Sequence, residues 1–62
     1  MEKNVLDILR EIQTIAKECE ADAEKVIKGN KTAGIRLRKD MQKVKSLTQE
    51  VREGVQNSLK ED

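Results

Sequence analysis

From Asn4 onward, apolar residues recur along the chain in steps of three and four. Val5, Ile8, Leu9, Ile12, Ile15, Ala16, Cys19, Ala23 and Val26 fall on one stripe of a helix. Within it Val5, Ile12, Cys19 and Val26 are spaced by seven, the repeat of a coiled-coil seam. Asn4 reads as the N-cap, with Asp7 in the first turn where the helix dipole favours an acid. The sharp turn signal is Gly29-Asn30. Gly29 suits the left-handed conformation that closes a helix, and Asn30 can end the turn and cap the next one. The seam predicted for the second helix runs Leu37, Met41, Val44, Thr48, Val51 and Val55, with Leu47 and Leu59 at its edge.

Two glycines interrupt this second helix, each at a cost of about 1 kcal/mol relative to alanine. Gly34 lies one turn in, where a small residue lets another backbone come close; Gly54 reads only as the start of fraying. The predicted elements are a helix over about 4–28, a turn at 29–30 and a helix over about 31–60, in one domain covering 1–62. Each helix spans roughly 37 Å at 1.5 Å per residue. The fold class is therefore all-α, an antiparallel two-helix hairpin of coiled-coil type. Two lone helices leave half of each stripe in water, so hairpins are expected to pair into a four-helix bundle.

Composition sharpens this. Sixty-two residues, a third of them apolar and none aromatic, make a thin core for a monomer. The 40% of charged residues and the absence of proline favour long helices, and the regular apolar spacing argues against disorder. No stretch is apolar enough to cross a membrane, and Met1-Glu2-Lys3-Asn4 reads as the start of a mixed-charge helix, not a signal peptide. A cytoplasmic location is expected, and the single cysteine fits a reducing compartment.

Charge changes the picture further. Residues 28–45 carry seven bases (Lys28, Lys31, Arg36, Arg38, Lys39, Lys43 and Lys45) against one acid, Asp40. Residues 1–27 hold four bases and seven acids, and residues 46–62 two bases and four acids, so the formal total of +1 hides a basic block. Such a block attracts polyanions by counterion release. Antiparallel packing also sets Glu18, Glu20, Asp22 and Glu24 near Arg36, Arg38, Lys39 and Lys43, where the acids can simply neutralise the bases. Helical phase places Lys3, Arg10, Lys17, Lys28 and Lys39 on an outer row, away from those acids. Ile35 falls on the same outer side of the second helix, an apolar residue among Lys28, Lys31 and Lys39.

Catalytic chemistry has little to work with. There is no histidine, no Gly-rich phosphate loop after a strand, and Cys19 sits at a seam position suited to a small buried hydrophobe. No cofactor, metal or small-molecule substrate is expected. The start of the second helix is a better site: backbone N–H groups of Lys31, Thr32 and Ala33, the Thr32 hydroxyl, and the charges of Lys28, Lys31 and Arg36 can gather round a phosphate. Without aromatics there is no platform for stacking single-stranded bases, so a duplex backbone is the more fitting target.

The stretch Gly29 to Leu47, GNKTAGIRLRKDMQKVKSL, resembles the bacterial linker-histone-like family, which includes the chlamydial histone-like nucleoid proteins and shorter bacterial relatives. The matching positions are Gly29, Asn30, Lys31, Ala33, Gly34, Arg36, Arg38 and Lys39, with a weaker likeness through Leu47, Glu50 and Arg52. The resemblance implies binding of double-stranded DNA without sequence preference in a bacterial nucleoid, with Lys31, Arg36 and Arg38 on phosphates. The chlamydial members carry a Lys/Ala-rich tail where this chain reads Glu61-Asp62, which implies weaker binding here. The expected nucleic-acid contacts are thus Lys28, Lys31, Thr32, Arg36, Arg38, Lys39, Lys43 and Lys45, in a homo-oligomer, first of all a dimer, with no membrane partner. Two other functions fit the pattern: a coiled-coil adaptor that docks a protein, and an RNA-binding helical-hairpin dimer.

Overall fold

The computed structural model describes residues 3–59, which form three helices and no strand. Helix α1 is Val5–Glu18, α2 is Glu20–Ile27 and α3 is Lys31–Leu59. The expected end of the last helix near 60, and Glu61-Asp62, lie outside the described residues. The local punctuation acts as anticipated. Asn4 and Asp7 form a reciprocal cap: the Asp7 N–H donates to Asn4 Oδ1 at 2.8 Å and the Asn4 N–H to Asp7 Oδ2 at 3.3 Å. At the turn, Gly29 takes φ 95°, its N–H donates to Val26 O, and the Asn30 N–H donates to Lys25 O. Those two bonds are the paired closure that a left-handed glycine makes possible at a helix end. Asn30 then caps α3 by accepting the Ala33 N–H at 2.9 Å.

The first arm is not one continuous helix. It carries a joint at Cys19, whose N–H is shared between Ile15 O at 3.0 Å and Ala16 O at 3.2 Å. This tightens a single turn while the Cys19 carbonyl still accepts from Ala23, so the hydrogen-bond ladder passes through the bend. Neither glycine nor proline marks it.

α3 returns antiparallel to α1 and α2 along their length, in a slab of 53 × 18 × 14 Å. Two contacts fix the register. Val5 packs on Gly54 and Cys19 on Asp40, and in both pairs the residue numbers total 59. The α3 seam that satisfies this register is Ala33, Leu37, Asp40, Val44, Leu47, Val51 and Gly54, all buried or half-buried. It is rotated from the expected stripe. Leu47 is central and 6% exposed, whereas Met41 and Val55, both 41% exposed, and Thr48 lie beside the seam. Gly54 also acquires a role: a Cβ there would come within 2.8 Å of Val5 Cγ2, so the glycine is the hole that admits Val5.

Only Ile8, Cys19, Ala33 and Leu47 are buried hydrophobes among the described residues. Among the same described residues eight large apolar side chains stay substantially exposed, Ile27, Leu59 and Ile35 most of all. The thin core expected of a short chain without aromatics is thus what forms.

Candidate nucleic-acid interface

Once the seam is set, the 100° advance per residue assigns every other position to a lengthwise row. On one side of the seam runs a charged shoulder: Glu11, Glu18 and Lys25 from the first arm, Arg36, Lys43 and Glu50 from α3. On the other side runs an apolar shoulder: Leu9, Ala16 and Ala23 interleaved with Gly34, Met41, Thr48 and Val55. The Thr48 hydroxyl folds back onto Lys45 O at 2.7 Å, and so adds no free donor to that face. Further round α3 from the apolar shoulder lie Lys31, Arg38, Lys45 and Arg52, all exposed and each seven residues from the next. At 1.5 Å per residue these four cations stand about 10 Å apart along the helix.

The expected contact residues therefore divide. Arg36 is committed within the hairpin: its Nε–H and Nη2–H donate to the two carboxylate oxygens of Asp22 at 3.2 and 2.9 Å. That bidentate bond lowers the Asp22 carboxyl below its ordinary value and raises the Arg36 guanidinium further. Lys43, on the same shoulder, lies in the field of Glu11 and helps to lower its pKa, after the hydrogen bond from Lys3. Lys31, Arg38, Lys39 and Lys45 make no ion pair with any described residue, nor do Lys28 and Arg52. Thr32 is exposed at the start of α3. Of the three backbone N–H groups expected to be free there, that of Ala33 is taken by Asn30.

Two members of the outer row, Lys3 and Lys17, meet acids, contrary to expectation, while Arg10, Lys28 and Lys39 make no ion pair among the described residues. Lys3 Nζ donates to Glu11 Oε1 at 2.7 Å, and Lys17 lies 3.8 Å from Glu20. Arg52 is the cation that charge counting missed, because it lies beyond the basic block and among acids in the sequence. Its spacing of seven from Lys45 was the available signal. Ile35 is 68% exposed on the outer face of α3, where it lines a shallow groove with Arg38, Lys39 and Gln42.

Cys19 is buried, and its Sγ–H donates to Asp40 Oδ2 at 3.5 Å. Burial, and then the neighbouring Asp40 carboxylate, push the thiol's pKa up, away from the thiolate needed for reaction. Among the described residues no cluster of His, Cys, Asp and Glu could hold a metal, and no helix is long and apolar enough to cross a membrane.

The family model of the histone H1-like protein Hc1 matches residues 7–61. The chain belongs to the histone H1-like Hc1 family. Hc1 proteins are DNA-binding proteins of the nucleoid, a structural family and not an enzyme family. The match takes in both arms of the hairpin and the turn, well beyond the Gly29–Leu47 stretch that carries the resemblance. No curated protein and no solved structure matches the chain.

Proposed function

We propose that this Hc1-family hairpin binds the phosphate backbone of duplex DNA without reading its sequence, and that it does so as a homodimer paired into a four-helix bundle. The observation that carries the DNA reading is the row Lys31, Arg38 and Lys45, with Lys39 beside it: exposed cations on one helix, none engaged by an acid among the described residues. Lys28 and Thr32 extend that surface to the turn. Arg36 and Lys43 contribute less, since acids across the hairpin already occupy or screen them. The bundle reading is supported by the exposed apolar shoulder.

The test is binding of a labelled duplex of mixed sequence across about 20–300 mM salt, a range over which phosphate contacts weaken steeply. Replacing both Arg38 and Lys45 by alanine is expected to lower the log–log salt slope by about two, whereas Arg36→Ala changes it by well under one. Equal loss from Arg36→Ala and Arg38→Ala would contradict the assignment. Absence of any retention at the lowest salt would remove duplex DNA as the partner, and preference for structured RNA would redirect it.

A further inference from the structure

We infer that two copies stack through their apolar shoulders with a two-fold axis near Met41, which sets α3 beside the partner's α3 and joins two cationic rows into one cleft for duplex DNA. This rests on the DNA reading above and adds that the binding site is incomplete in a single copy.

Three observations lead there. The first is area. The chain exposes 5483 Å², against roughly 4,100 Å² for a compact protein of its 7.1 kDa. The excess exceeds the roughly 800 Å² that each partner buries in a standard interface. The second is the pattern. Both arms are apolar or small at the seam and again on one shoulder, and the two shoulder rows lie on the same face. That three-in-seven pattern belongs to helices of a bundle, not to an isolated pair.

The third is self-complementarity, which a two-fold contact requires. Outside the apolar shoulder, the first arm carries Leu6, Gln13, Glu20 and Ile27 at the same spacing of seven. Leu6 is 51% exposed and Ile27 84%. When two first arms lie antiparallel, Leu6 of each copy meets Ile27 of the other, and Gln13 meets Glu20. These exposed residues are thereby covered. On the opposite edge the same operation sets Lys31, Arg38, Lys45 and Arg52 alongside their symmetry mates, eight cations in two rows. The alternative two-fold stacks α3 on the partner's first arm; it leaves Leu6 and Ile27 against basic rows and splits the cations between opposite sides.

Eight facing cations repel one another until an anion lies between them. Dimerisation without DNA should therefore strengthen with salt, while DNA binding weakens with it. Opposite salt responses are what facing cationic rows that also hold DNA phosphates should give, and the position of the contact is read separately, at Met41.

The experiment is sedimentation equilibrium of the full chain without DNA at about 50 and 500 mM salt, where the screening length falls from roughly 14 to 4 Å. The expected result is a dimer whose association strengthens about threefold to tenfold at the higher salt, and which Met41→Asp converts to a monomer. Because Met41→Asp could also unfold the chain, Met41→Cys provides a neutral variant, with the wild type and its buried Cys19 as control. Mild oxidation should link Met41→Cys copies into a covalent dimer, since the axis brings these positions together. A wild type that stays monomeric, or a dimer that weakens as salt rises, overturns the proposal. So does a dimer that persists while Met41→Cys fails to cross-link. Pairing with the expected salt response but no retention of duplex DNA takes DNA out of the cleft; the DNA reading then fails while the interface stands.

Discussion

Arg36 and Arg38 are two residues apart in the same basic block and meet opposite conditions. Arg36 lies on the charged shoulder and grips Asp22 with two hydrogen bonds; Arg38 stands on the outer edge of α3 with no acid among the described residues to hold it. The sequence count gives both the same weight. Helical phase separates them, because a rotation of 200° turns one toward the other arm and the other toward solvent. A local excess of charge thus measures what a segment carries, and the seam decides how much of it remains available.

The most drastic way to break this comparison is to remove the seam that sorts the charges. Leu47→Ala is expected to cost about 2–4 kcal/mol, a large share of a small domain's stability. Circular dichroism should show lost helix and a non-cooperative melt, and both classes of arginine should then behave alike toward DNA. Next in size is the contrast between Arg38→Ala with Lys45→Ala and Arg36→Ala. The first pair should weaken duplex binding without lowering the melting temperature. Arg36→Ala should lower the melting temperature and leave the salt slope nearly intact.

The two glycines of α3 sharpen the picture by about 1 kcal/mol each, in opposite directions. A Cβ at Gly34 would rest 3.7 Å from Val26 Cγ2, an ordinary contact, so Gly34→Ala should stabilise by about 1 kcal/mol through helix propensity. Gly54→Ala drives a methyl into Val5 and should destabilise by about 1–2 kcal/mol despite the same gain in propensity. Val5→Ala in the Gly54→Ala chain should recover part of that loss, as read by thermal melts.

Acidification gives the smallest effect, since the pairs are exposed. Asp22 and Glu11 titrate below their usual values of 3.8 and 4.5, so what they add is present above those values and is lost as pH falls through the lowered ones. The melting temperature should therefore drop below about pH 4. The drop should be reduced in Asp22→Asn. Lys3 runs the other way: its raised pKa preserves its contribution until the pH passes above 10.5.

Asn4, Gly29 and Asn30 were legible in the sequence because each acts on its own neighbours. The phase of α3 was not, and the reason lies in three residues. Met41, Thr48 and Val55 look like seam residues because they are apolar or nearly so, while the true seam contains Asp40 and Gly54, which do not. An apolar pattern wide enough for two contacts blurs the position of each. The joint at Cys19 was invisible for a related reason: it comes from one shared hydrogen bond, with no residue type to announce it. For the site, the sequence already allows Arg36 to pair with acids across the hairpin, as one of two readings of the basic block. Spacing alone offers Arg52, seven residues from Lys45, and the Lys17–Glu20 pair, three residues apart, whereas the bond from Lys3 to Glu11, eight residues apart, emerges only in the fold.

The constant register has a consequence for length. Because facing residues keep the same total from Val5–Gly54 to Cys19–Asp40, every row advances in units of seven, and the hairpin behaves as a ruler with identical graduations. Seven residues inserted in each arm would add one graduation, about 10 Å or three base pairs of duplex, with every face kept in place. One residue inserted in a single arm would instead turn the rest of that arm by about 100° and set the graduations of the two arms out of step.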